Sequence, residues 1–337
     1  MGSALKQIWD KWLLFTVVSH AALADESSKG KLCADDFSPC TCAENNNVVL
    51  MVCDGIYGVD IRDAFSRPTS INHIDEMHIY LPSDCGFFPA DMLSGKTVSK
   101  VSISGKNCDF TIDSNAFASS SDNLTVFYLE RVNLRFLDFA FLNGFSALTS
   151  FSVSFCPSIY ALQSLPSLPT LKSFDIYRSV GSANMTDFPA GRSFAGLQKV
   201  SWIEGDLNDE VADVVFGAIT QTSSAYTLDQ IYLSDNLLTK IPTAFSPLQI
   251  PAKYLDIRNN KITVLKTGSV LFHVKTPENI ILTNNPIAFV EPTAFRDACV
   301  DLIKSHNDPL SCRCFSSCAR GHDPPRQWNF IYFKRIS

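Results

Sequence analysis

The sequence lacks the parts from which most enzymes and nucleic-acid binders are assembled. It has no G-x-S-x-G elbow, no H-E-x-x-H pair and no glycine-rich phosphate loop. No run of Lys and Arg stands out, and the formal charge over 337 residues is −6, which argues against a nucleic-acid surface. Beyond residue 24 no apolar stretch approaches the ~20 residues of a membrane-spanning helix. His73 and His78 stand five residues apart with no plausible nucleophile nearby, and read as structural or solvated side chains. No catalytic residue, cofactor or metal is expected.

What is present begins with an export signal. Lys6 and Lys11 precede the apolar run WLLFTVV (12–18), and ALA (22–24) offers a small-x-small cleavage site. Residues 1–24 read as a signal peptide, and the mature chain as secreted and extracellular. In that setting eleven cysteines default to disulfides. Asn123-Leu-Thr125 and Asn184-Met-Thr186 are acceptor sequons for N-glycans.

A repeat fills the middle of the chain. In LDQIYLSDNLLTKIPTAF (228–245), Leu228, Ile231, Leu233, Asn236 and Leu238 fit the pattern LxxLxLxxNxL. The apolar spacing recurs from starts at 74, 98, 124, 148, 171, 197, 228, 252 and 277, separated by 23 to 31 residues. Such a unit can bury its short apolar strand only against its neighbours. Phe117, Phe141, Phe194, Phe245 and Phe295 recur on the far side of each coil as packing residues. The fold expected is an α/β leucine-rich-repeat solenoid, with a curved parallel sheet on its concave face, an irregular, 3-10 or helical convex side, and disulfide caps. Asn236, Asn260 and Asn285 fill the turn position eight residues after each start, where a small polar side chain satisfies backbone groups. Lys106, Val132, Ser179 and Gly205 occupy it elsewhere, and so does Cys156, which reads as a free buried thiol.

The ends need caps. Residues 25–73 carry Cys33, Cys40, Cys42 and Cys53, ahead of repeats spanning 74–298; residues 299–337 carry Cys299, Cys312, Cys314 and Cys318. Each quartet allows three disulfide pairings, left open at this point. Zinc is disfavoured, because zinc sites usually present two C-x2–4-C pairs and a secreted thiol cluster oxidises. Cys85 and Cys108 hold nearly the same place in adjacent coils and are expected to pair.

With its SPCTC flank, Phe-rich irregular repeats and NDPLSCRC ending, the chain resembles extracellular leucine-rich-repeat proteins over roughly residues 33–318. It looks most like the arthropod group labelled Oplophorus-luciferin 2-monooxygenase non-catalytic subunit. That resemblance implies a binding role beside a separate catalytic chain. The terminal stretch FSSCARGHDPPRQWNFIYFKRIS departs from the usual pattern by placing Trp328 late and then stopping. The last cap therefore reads as truncated or variant. The alternative reading is the ectodomain of a cell-surface adhesion or receptor protein that ends before its anchor.

Strand side chains alternate, so residues two, four and six past each start face the concave side. Tyr80, Tyr128, Glu130, Asp175, Tyr177, Tyr232, Tyr254 and Arg258 fall there, and tyrosine is enriched in protein interfaces. These eight form the expected binding face for a protein partner.

Overall fold

The computed structural model describes residues 31–180, 185, 188, 193–221, 228–245, 254–266, 279–291, 303–305 and 308–310. The segment 1–24, Asn184, Phe295, Cys299, Cys312, Cys314 and Cys318 lie outside the described residues.

One 14-stranded sheet organises the chain. It begins with β1 (Lys31–Leu32), β2 (Thr41–Asn45), β3 (Val48–Asp54), β4 (His73–Tyr80) and β5 (Thr97–Asp109). It continues through β6 (Val126–Asn133), β7 (Ser150–Ser154), β8 (Ser173–Tyr177), β9 (Lys199–Ile203) and β10 (Gln230–Tyr232). It ends with β11 (Tyr254–Asp256), β12 (Asn279–Ile281), β13 (Ile303–Ser305) and β14 (Asp308–Leu310). Strand order follows chain order throughout, and every pairing from β3 to β13 is parallel. Parallel neighbours cannot be joined by a tight hairpin, so each strand is followed by a return segment that starts the next turn of a coil. The sheet runs past both ends of the 74–298 repeat span: β3 pairs with β4, and β13 with β12.

The apolar spacing fixes this register. Met51, Met77, Val101, Phe127, Phe151, Phe174, Val200, Ile231, Leu255 and Ile280 pair in one row across the sheet, and all are buried. Phe127 and Phe151 stack at 6.3 Å, and Phe151 and Phe174 at 5.8 Å. From the return segments, Phe117 and Phe141 close on Phe127 at 6.0 and 5.4 Å. Aromatic pairs at such separations add to the burial of their area.

The N-terminal pairing is Cys33–Cys42 and Cys40–Cys53, which staples the flank to β3. Cys85–Cys108 forms as expected, with a Cα separation of 5.5 Å.

At the turn position the asparagines behave as backbone surrogates. Asn236 donates to the carbonyls of Trp202, Leu233 and Ser234 and accepts from the N–H groups of Gly205 and Leu207. Asn260 and Asn285 repeat this one and two coils on. Ser179 does a smaller version, accepting from Cys156 N–H and donating to Tyr177 carbonyl. Gly205 carries no side chain there because the Trp202 indole fills the space: a Cβ would lie 2.4 Å from its Nε1. One position differs from the sequence reading. A register shift between Ser104 and Cys108 places Cys108, not Lys106, opposite Val132. The extra residues of this bulge account for the wider spacing between the starts at 98 and 124.

The longest interval, from 197 to 228, is taken up by helix α1 (Asp209–Gln221). Its acids clamp the following coil. Asp209 accepts from the N–H groups of Thr239 and Lys240, and Asp213 from Thr243 N–H at 2.6 Å and Lys240 Nζ at 2.7 Å. Burial opposes the charge on Asp213, but the Lys240 and Thr243 contacts outweigh it and hold the carboxyl below its usual range. No described helix is long and apolar enough to cross a membrane.

Candidate interaction face

The side of the sheet opposite the phenylalanine row carries the alternate strand residues. His78, Ser102, Tyr128, Ser152, Asp175, Ser201, Tyr232 and Asp256 pair across successive strands in one row. Tyr80, Ser104, Glu130, Ser154, Tyr177 and Ile203 form the row beside it. All eight residues singled out from the sequence stand on this face, in three groups. Tyr80 lies two strands from Glu130, about 10 Å at ordinary strand spacing. Tyr128 and Glu130 share β6. Asp175, Tyr177, Tyr232, Tyr254 and Arg258 gather over β8 to β11 and the turn that follows.

Within the last group Asp175, Tyr232 and Tyr254 connect through Lys199. Ser173 Oγ and Lys199 Nζ both lie 2.5 Å from Asp175 carboxylate oxygens. Lys199 Nζ sits 5.9 Å from the Tyr232 ring centroid, and Tyr232 packs on Tyr254 at 5.0 Å. Arg258 and Asp256 form a side-on ion pair. Charge is cancelled locally here and at Lys100–Glu76, 2.5 Å apart.

The tyrosines on this face are buried or half-buried. Tyr232 is only 9% exposed, and the serine rows beside Tyr128 and Tyr232 are covered at Ser152, Ser154 and Ser201. Burial drives the Tyr128 phenol well above its ordinary range. Burial, then the neighbouring Tyr254 and Asp256, pushes Tyr232 up to about 12. Burial likewise raises Glu130, against the opposing pull of Arg131. Tyr177 keeps more of its ring open and donates to Glu204 at 3.4 Å.

Glu76 is shifted the other way, down to about 2, first by the His78 imidazole and then, against burial, by the Lys100 ammonium. A carboxyl whose folded value lies below its unfolded one contributes stability above the unfolded value and loses it as pH falls toward the folded one. Glu76→Gln is expected to lower stability by about 1–2 kcal/mol at pH 7, a figure reduced for partial solvent screening. Denaturant midpoints should show the gap closing between about pH 5 and pH 2. A gap constant across that range would remove the ion-pair account.

Two features were missed in the sequence. Ser99 Oγ lies 3.0 Å from His73 Nε2, and Thr97 Oγ1 lies 2.7 Å from its Nδ1, so a serine does stand beside this histidine. Asp75, the nearby carboxylate, approaches the same Nε2 at 4.0 Å rather than the Nδ1 that an orienting acid would hold. The contacts stitch β4 to β5. The second feature is a rim seven residues past each start, where Arg131, Phe155, Arg178 and Glu204 take left-handed backbone with φ of 52°, 54°, 45° and 54°. Asp235, Asn259 and Asn284 hold the same place in later coils, and Asn and Asp tolerate it best. Their recurrence was the available signal.

Cys156 is free among the described residues and buried. Burial pushes its thiol up to about 12, so it is a poor nucleophile. Among the described residues no group of three His, Cys, Asp or Glu side chains is arranged to hold a metal.

No protein-family model matches this chain, and no curated protein matches it. Among solved structures it is similar to a chain of the Toll–Spatzle complex of Drosophila, with 11% identity and a TM-score of 0.31. The match covers 80% of this chain and 52% of that one, so the chain spans about half the length of its match. At these values the likeness carries no argument; the strand register does. Disulfides such as the three described here persist in oxidising compartments.

Proposed function

We propose that this chain is a secreted, non-catalytic leucine-rich-repeat protein that binds a protein partner through the concave face of its solenoid. The observation that carries this reading is the open sheet face, rich in tyrosine and serine, with its charges paired within the face. Rigid aromatic side chains held in advance reduce the entropy lost on binding, and neutral surroundings leave recognition to shape and hydrogen bonds. The resemblance to non-catalytic subunits makes an accessory chain of a secreted complex the form such binding takes. An N-glycan on Asn123, exposed at the turn entering β6, would leave the strand-entry side of the coil.

Affinity capture from the native fluid tests the proposal, with the wild type and a Tyr177→Ala/Tyr232→Ala variant run in parallel. A specific chain should co-purify with the wild type and bind the variant at least about tenfold more weakly, as expected on losing interface anchors. A thermal melt of the variant controls for folding, because Tyr232 is nearly buried. Equal recovery on both would sink the concave-face reading, and recovery of no partner at near-physiological concentration would count against an accessory subunit.

A further inference from the structure

The rim at the strand ends holds a guanidinium that is positioned but only loosely paired. Arg131 and Arg178 lie against the Phe155 ring from the two neighbouring coils, 5.4 and 5.8 Å from its centroid. Such stacking fixes a planar guanidinium and leaves its N–H edge available. Arg178 spends that edge within the protein: Nε lies 2.5 Å from Glu204 Oε2, and Nη2 lies 3.3 Å from Oε1. Arg131 makes no such bond among the described residues. Its side chain is 55% exposed, and its ion pair with Glu130 is long, at 3.8 Å, beyond hydrogen-bond reach. On the preceding coil the bulge residues Gly105, Lys106 and Asn107 lie between the partners of Glu130 and Val132, and they bring no carboxylate. Phe155 and Tyr177 meet edge to face at 5.4 Å, giving the charge an aromatic border. Arg131 and Phe155 also sit on left-handed backbone that an asparagine would adopt with less strain.

We infer that Arg131 is the docking point for an Asp or Glu carboxylate on a protein partner, held as Glu204 is held by Arg178. The inference rests on the protein-binding reading but moves a principal contact from the open face to the rim. The occupant is a different molecule rather than a second copy, because a formal charge of −6 on each copy opposes self-association.

The probe is a random heptapeptide library displayed on phage and panned against the full chain. Peptides with Asp or Glu beside an aromatic or aliphatic residue should be enriched. They should bind roughly tenfold more weakly to Arg131→Gln, and nearly as weakly to Arg131→Lys, which keeps the charge but loses the planar fork. Both variants should melt with the wild type, and added salt should weaken binding. No acidic enrichment, or undiminished binding to Arg131→Gln, overturns the proposal. So does sedimentation of the wild type as a dimer that Arg131→Gln dissolves, since that assigns the carboxylate to a second copy. Tyr232→Ala separates the two readings. Peptides that need Tyr232 but not Arg131 leave the concave face standing and the rim fallen; the reverse leaves the rim alone.

Discussion

Phe151→Ala is expected to lower the unfolding free energy by about 3–5 kcal/mol, the cost of truncating a fully buried aromatic whose neighbours cannot collapse around the gap. Phe151 has no exposed surface and sits mid-row, stacked between Phe127 and Phe174 with Phe139 edge-on at 5.2 Å. The two stacked partners belong to adjacent coils, so the cavity would face both and loosen the interfaces on either side. Equilibrium denaturation with amide exchange on the two flanking strands would measure this. A loss under about 1 kcal/mol would mean that the row is not the core it looks like.

Asn236→Ala carries the next largest effect. The side chain is buried; its two N–H groups are shared among three backbone carbonyls, and its oxygen accepts from two backbone N–H groups. Alanine strands those groups without water, at about 1–3 kcal/mol each where no rearrangement relieves them. Allowing for partial relief, we expect about 2–4 kcal/mol in total. Asn236→Asp is the informative companion. It keeps the acceptor for Gly205 and Leu207 and loses the donors, so it should be destabilised at neutral pH and partly restored in acid, where a protonated carboxyl can donate. Identical losses for both variants at every pH would show that the hydrogen bonds are not the cause.

The parts legible in the sequence are those that periodicity states directly. The apolar spacing announced the buried rows, because every coil must present the same face to its neighbours. Cys85 and Cys108 announced their bridge by sharing a place in adjacent coils. The bulge that moves Cys108 into the turn position was hidden, because a uniform count from the start lands on Lys106. Face positions for Tyr128 and Tyr232 followed from strand alternation, yet alternation does not say how deeply a ring is buried on that face. The rim at Arg131, Phe155, Arg178 and Glu204 was concealed because bulky residues there do not advertise left-handed backbone. The Ser99–His73 contact joins residues 26 apart, a proximity that only the strand register creates.

The strict agreement of strand order with chain order has a kinetic meaning. No strand between β3 and β13 waits for a distant partner; each closes on the one made just before it. Such a chain can assemble as a growing crystal does, each coil condensing on a finished edge, with loop-closure cost held to one coil at a time. Cys33–Cys42, Cys40–Cys53 and Cys85–Cys108 close loops of 9, 13 and 23 residues, all before residue 109. The segment that precedes the later coils is thus also a covalently locked seed on which they can be laid down.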